Sequence, residues 1–391
     1  MKPFSRFASP LGLSVGLSVA FSVVLSVSLT ACKKEPLAEL EKAMHNKNPS
    51  FITAPQCEDS KRISKNSRYQ NPVFTEDFKP HPGDPCYTQK PMCGTRLDWF
   101  MDSDCPFDAS DPRYAGIKDL NKCVWNVWQG YNFWAATSKQ ITFDASAIEV
   151  RDGRLILKML PNPNYDASKG GCGDTSSNLY ALNYYNVNCP VISGGLDSKF
   201  IDNNMHKGRN ALYGRIEMKA RYVATSAVGG YSALWMWPNQ IGKGYPHNPT
   251  SASLLTNQNG DQEPTMTGEI DINEANFNGP HDLLFQTYHN WNHGTKGSAS
   301  IAKTTQPIDM SVDHVYGVEW SPTAITYYYD DCVTKVINVG DISTGDGPNT
   351  GLKMKISDVA SFMILSIGAG WTSFDASARD QFIVSEVQIF E

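Results

Sequence analysis

Between residues 268 and 274 the chain reads Gly-Glu-Ile-Asp-Ile-Asn-Glu, a pattern that suits a sheet strand and little else. Glu269 and Asp271 are two residues apart, so on a strand both side chains leave the same face. Ile270 and Ile272 leave the opposite face, where a packed core can take them, and the pair of β-branched residues itself favours a strand. A helix would spread steps of two and five residues over different faces. Glu274 breaks the alternation, because it lies five residues from Glu269. One extra residue, a β-bulge near Asn273, returns it to the acidic face.

The rest of the chain agrees with a sheet protein. Strand-like runs follow one another at 147–151, 154–159, 214–222, 232–237, 285–289, 315–320, 324–329, 362–368 and 382–390. Turn residues separate them: Asp152-Gly153, Ser321-Pro322, Asp330-Asp331 and Gly345-Asp346-Gly347. No long amphipathic helix competes and no internal repeat is visible. With 391 residues, 30 Gly, 23 Pro and 11% aromatics, the expectation is an all-β, two-sheet antiparallel sandwich. Two long loops, 160–193 and 239–267, are rich in Asn, Gly and Pro and flank the strands of interest. Loops of such length in a compact domain are usually functional.

The first 70 residues are set apart from this domain. Lys2 and Arg6 precede an apolar, Ser-dotted run from Leu11 to Ala31. It ends in Leu29-Thr30-Ala31-Cys32, which resembles the lipobox of bacterial lipoproteins, so 1–31 is expected to be a signal peptide and Cys32 the lipidated residue. An uncleaved membrane anchor is the alternative. Lys33 follows the cysteine where an Asp would resemble an inner-membrane retention signal, so the resemblance implies the outer membrane or cell surface and a lipid bilayer as partner. Residues 32–70 read as a polar tether and 71–391 as the folded domain, with a Cys-rich insertion at about 80–124. Beyond Cys32 lie eight cysteines: Cys57, Cys86, Cys93, Cys105, Cys123, Cys172, Cys189 and Cys332. In an exported chain an even set reads as disulfides, with connectivity open, rather than as a zinc site. The net charge of −6 leaves no basic excess for nucleic acid.

The acidic strand carries a chemical suggestion. Four regular strand steps separate the Glu269 and Glu274 backbones by roughly 13 Å. Inward-leaning side chains bring the carboxyls to about 5 Å, the separation used by retaining glycosidases. On spacing alone, a solvated acidic edge or a calcium-binding strand fits as well. Upstream, the strand at 231–238 places Tyr231, Ala233, Trp235 and Trp237 on one face, where aromatic planes suit the apolar faces of sugar rings; a buried core Trp is the plainer reading of any one of them. Downstream, Thr287-Tyr288-His289-Asn290-Trp291 offers a histidine and another aromatic.

Together these segments resemble glycoside hydrolase family 16. Residues 268–274 resemble its catalytic motif in the bulged form of the laminarinase, agarase and carrageenase branches. Tyr213-Gly214-Arg215-Ile216-Glu217, Ala233-Leu234-Trp235-Met236 and the 316–328 hairpin, Tyr-Gly-Val-Glu-Trp-Ser-Pro onward, are similar to further family strands, in family order from about residue 143 to the C-terminus. The resemblance implies a β-jelly-roll with a concave cleft and a retaining double displacement on β-linked glycans. Glu269 then matches the nucleophile, Glu274 the acid/base and Asp271 the assisting carboxylate. Trp235 matches a sugar platform and His289 a histidine close to the acid/base, with Tyr231, Trp237 and Trp291 as further substrate contacts. Tyr231 stands where many members carry Trp. Ser385 stands where an Asp often helps hold a structural calcium, so the resemblance leaves that ion possible but doubtful, and no metal or cofactor is required for catalysis. The Cys-rich insertion has no counterpart in the family pattern.

The leading expectation is a monomeric, endo-acting glycosidase on a polysaccharide, foremost β-1,3-glucan, with agar-type galactan and carrageenan as other suitable substrates. Rival expectations are a transglycosylase on envelope glycans, a non-catalytic carbohydrate-binding surface lipoprotein and a calcium-binding adhesin. Against a binder, all three acids are present, and a lectin has no use for the nucleophile.

Overall fold

Two tight turns show how local sequence starts the fold. Asp152 and Gly153 both take positive φ, 54° and 66°, between the paired residues Val150 and Leu155. Asp330 and Asp331 do the same, at 46° and 66°, between Tyr329 and Cys332. Two central residues at positive φ match the right-handed twist of the flanking strands, and Asp and Gly are among the residues that tolerate it. In this computed structural model the described residues are 69–94, 103–104, 110–129, 141–169, 189–199, 208–225, 230–238, 267–275, 284–291, 298–303, 309–338, 356, 360–369 and 377–391. All belong to the unit Phe51–Glu391; Cys32, the signal segment, residues 32–68 and nearly all of the 239–267 loop lie outside them.

The strands form two sheets. The first runs Cys332–Asn338, Ala324–Tyr329, His314–Trp320, Gly214–Val223, Gln381–Phe390, Leu155–Pro161, Val191–Ser193, Ile141–Phe143, with Phe74–Glu76 and Ile148–Val150 as side branches. The second runs Ser298–Lys303, Leu284–Trp291, Thr267–Ala275, Gly230–Pro238, Ser361–Ala369, Gly195–Asp197, Asn126–Trp128, Met92–Gly94, Ser103–Asp104, with Asn210–Ala211 beside Ser361–Ala369. Alternation decides which faces meet. Ile216, Met218, Ala220 and Tyr222 are buried while Lys219 between them is exposed, and the second sheet turns Leu234, Met236, Met363 and Leu365 into the same core.

The expected all-β, two-sheet fold is therefore present, with one correction. The pairing is not wholly antiparallel: Met92–Gly94 pairs parallel with Asn126–Trp128, and Ile141–Phe143 pairs parallel with Val191–Ser193. Parallel partners need a long crossover rather than a tight turn, and long connecting stretches precede Asn126 and Val191 in the sequence. Met92–Gly94 and Ser103–Asp104 belong to the Cys-rich insertion, which thereby adds two short strands to one end of the second sheet. A Cys86–Cys123 disulfide closes it, and Cys93, Cys189 and Cys332 are also disulfide-bonded. Closing a loop of that separation restricts the unfolded chain by about 4 kcal/mol on loop entropy.

On the outer face of the first sheet, Tyr328 lies across Gly317 and donates its hydroxyl to Glu217 Oε1 at 2.8 Å. Arg215, buried on this face, donates to Glu319 Oε1 at 3.0 Å through Nε. A Cβ on Gly317 would stand 2.2 Å from Tyr328 Cζ, so a side chain there displaces a buried ring. Gly317→Ala is expected to destabilise the fold by about 1–3 kcal/mol. Urea unfolding measures this, and an unchanged midpoint would refute the packing account.

Candidate active site

The strand Thr267–Ala275 sits between Gly230–Pro238 and Leu284–Trp291. On the side of Leu284–Trp291, Asp271 pairs with Thr287 and Glu274 with Phe285, so Ile272 and Asn273 together stand opposite Gln286. On the other side, Trp235 pairs with Asp271 and Leu234 with Asn273, and Ile272 is passed over. This is a β-bulge of one extra residue, at Ile272–Asn273. Ile270, Ile272 and Asn273 are buried on the core side, where Asn273 Nδ2 donates to Ser232 Oγ at 3.4 Å. Alternation then resumes: Glu274 pairs with Ala233 and Asp271 with Trp235, residues two apart on one strand. Glu269, Asp271 and Glu274 therefore share the face turned away from the first sheet.

That face is not bare. Trp235 is 4% exposed, and Ile364 and Phe362, its neighbours on Ser361–Ala369, are buried as well. Trp235 and the half-buried Trp237 meet edge to face, with ring centroids 5.9 Å apart. Asp271 is 3% exposed. Burial pushes its carboxyl up to about 8, and a hydrogen bond with Glu269 opposes the rise only in part. Burial thus favours the neutral Asp271 carboxyl at neutral pH, and a hydrogen bond joins it to Glu269. One of three clustered acids is neutral, as like charges in a shared dry site demand.

The register also locates the other expected residues. His289 stands opposite Glu269 and Trp291 opposite Thr267, whereas Glu274 faces Phe285. Tyr231 pairs with Gly368 on the same parity as Trp235. The side chains of Tyr231, His289 and Trp291 lie outside the described residues, as does Cys32. Among the described residues no three His, Cys, Asp or Glu side chains gather to hold a metal ion. Ser385 is the extra residue of a second bulge, and its hydroxyl donates to Lys219 O at 3.1 Å.

No family model matches the chain. A glucan endo-1,3-beta-glucosidase of Cryptopygus antarcticus is 29% identical over 213 residues, 54% of this chain and 62% of that protein. A beta-glucanase of Rhodothermus marinus is 34% identical over 124 residues, 30% of this chain and 35% of that protein. The chain thus spans less than two thirds of the curated relatives it matches. Among solved structures, the laminarinase catalytic domain of Thermotoga maritima superposes with a TM-score of 0.50 at 15% identity, over 82% of this chain and 98% of that one. This chain has the fold of that laminarinase domain. A non-specific endo-beta-1,3(4)-glucanase from family GH16, crystallised with a glucan oligosaccharide at its active site, gives a TM-score of 0.50 at 16% identity, over 87% and 100% of the two chains.

Within this laminarinase-like fold, two groups were not singled out from sequence. Asp197, on the face of the acids, accepts from Asn126 Nδ2 at 2.7 Å, Trp128 Nε1 at 2.6 Å and Lys199 N at 3.0 Å. Its only sequence signal was the Trp-Asn-Val-Trp run at 125–128. Gln286, opposite the bulge, is fully buried and its amide reaches both sheets. A tempting His–Asp pair is structural: His314 Nδ1 meets Asp330 Oδ2 at 2.6 Å, but Nε2 is taken by Asp309 O and the pair braces the 330–331 turn.

Asp271 also has a stability consequence. Its folded pKa lies above the ordinary 3.8, so its stabilising contribution is complete below about 3.8 and is lost as pH rises through about 8. The slope is at most about 1.4 kcal/mol per pH unit. Asp271→Asn removes this titration and is expected to flatten the stability profile, leaving the variant more stable than the parent in mildly alkaline buffer. Urea midpoints across that pH range decide it; parallel curves for the two proteins would refute the buried proton.

Proposed function

We propose that the chain is a retaining endo-β-glucanase acting foremost on β-1,3-linked glucan. The observation that carries this reading is the bulge at Ile272–Asn273, which sets Glu269, Asp271 and Glu274 on one face with Asp271 buried between the two glutamates. The two curated relatives, named as β-glucan-cleaving enzymes, support the substrate class. In this reading Glu269 attacks the anomeric carbon while Glu274 protonates the departing glycosidic oxygen. The hydrogen bond between Asp271 and Glu269 orients Glu269 for the attack in a site shielded from water. Glu274, now a carboxylate, takes a proton from the incoming water, which releases the sugar from Glu269 with net retention. Trp235 and Trp237 form the aromatic wall beside this centre, and Tyr231, His289 and Trp291 are proposed to line the substrate path.

Glu269→Ala is expected to lower reducing-end release from laminarin by at least about a thousandfold. Proton NMR of the first products should show the β anomer; an initial α product would overturn the nucleophile assignment.

Cys32 is proposed as a lipid attachment point that holds the enzyme at the bacterial surface, on the support of Leu29-Thr30-Ala31-Cys32. Cys32→Ser should abolish palmitate labelling in cells and move the protein to the soluble fraction. Persisting label would exclude the anchor.

A further inference from the structure

A bulge leaves its extra residue without the ladder bonds a regular strand would give it. Here the carbonyl of Ile272 accepts from Gln286 Nε2 at 3.0 Å, from the very residue the bulge faces. The same nitrogen donates to Tyr328 O at 3.2 Å, in the first sheet, and Gln286 Oε1 accepts the hydroxyl of Thr334, also in the first sheet. Both amide hydrogens and the oxygen are thus engaged, and a flipped amide would set oxygen against two carbonyls. Gln286 is fully buried. One strand position away, Tyr327 donates its hydroxyl to Thr287 O at 2.5 Å, and Thr287 is the partner of Asp271. The chain between Asp271 and Glu274 is therefore tied to the first sheet as well as to its own ladder.

We propose that Gln286 is a positioning residue for catalysis: by tying the Ile272 carbonyl to the first sheet it fixes the bulge that aims Glu274 at the bond attacked by Glu269. The inference rests on the glycosidase reading above. It concerns a residue that touches no substrate and acts through the backbone of its neighbour.

The test uses the full chain and two near-isosteric variants. Gln286→Met keeps the volume and removes every polar partner. Gln286→Glu keeps the acceptor and a single O–H donor while protonated. Active sites are counted by covalent labelling with a 2-fluoro laminaribiosyl fluoride, so that a lower folded fraction does not enter the rate. Gln286→Met is expected to lower kcat on laminarin per labelled site at least tenfold, with KM changed less than threefold. Gln286→Glu is expected to lose less, and its kcat to fall further with rising pH along a limb absent from the parent. That limb keeps the proposal open to refutation if the Met variant does not fold. Lower thermal stability with kcat per labelled site and pH profile unchanged would show a purely structural glutamine and overturn it. A parent protein that neither labels nor cleaves any glucan would instead sink the glycosidase reading, and this inference with it.

Discussion

The extra residue at Ile272–Asn273 governs everything on the acidic face. A strand has a side-chain period of two, so a regular path from Asp271 would send Glu274 into the core. A carboxyl there, among the buried Leu234, Met236 and Tyr288, would lose its hydration. With the bulge, the core instead receives Ile272 and Asn273, and Asn273 finds Ser232 as a hydrogen-bond partner. One backbone irregularity thus exchanges a buried acid for a buried amide and completes a set of three carboxylates. The irregularity in turn needs a donor for the Ile272 carbonyl, which Gln286 supplies.

Electrostatics on that face follow from what surrounds Asp271. Its neighbours across the strand, Trp235 and then Ile364, are apolar and buried, so the carboxyl has little water to stabilise a charge. Retaining a proton is the cheaper state for Asp271, and one neutral carboxyl turns the repulsion between the two acids into a hydrogen bond. The arrangement opposes folding increasingly as pH rises from about 3.8 to about 8.

The parts of this fold that were legible in the sequence are those fixed by local physics. Ala324–Tyr329 lies where its alternating pattern and the Asp330-Asp331 turn put it, because both signals act within a few residues. The bulge was legible for the same reason: Glu269, Asp271 and Glu274 can share a face only if a residue is inserted. Asn126–Trp128, Val191–Ser193 and Gly195–Asp197 were not legible. Each is three residues long, too short to display a period, and forms because longer neighbours offer it a ladder. The parallel pairs were hidden likewise, since strand direction depends on a crossover rather than on the strand. Cys332–Asn338 carries mixed Val, Thr and Lys with only Ile337 and Cys332 buried, so its apolar pattern is faint. Gln286 was passed over because its meaning lies in two carbonyls, one of them in the other sheet. No window of sequence around it contains Tyr328.

That last point bears on how a sandwich can hold reacting groups in place. Ladder bonds lie in the plane of a sheet and resist sliding between strands, but they do little against rotation of a bulged peptide out of that plane. Bonds from Gln286 to Tyr328 O and from Tyr327 to Thr287 O run between the layers, across the core. Both have one end on Ala324–Tyr329, a strand flanked on both sides by long partners and closed by a two-residue turn. The first sheet therefore acts as a rigid base beneath the acidic strand, although none of its described residues belongs to the acid cluster. A sandwich core filled only by aliphatic side chains would bury as much surface, yet it would offer no directional hold on the one peptide whose orientation decides where Glu274 points.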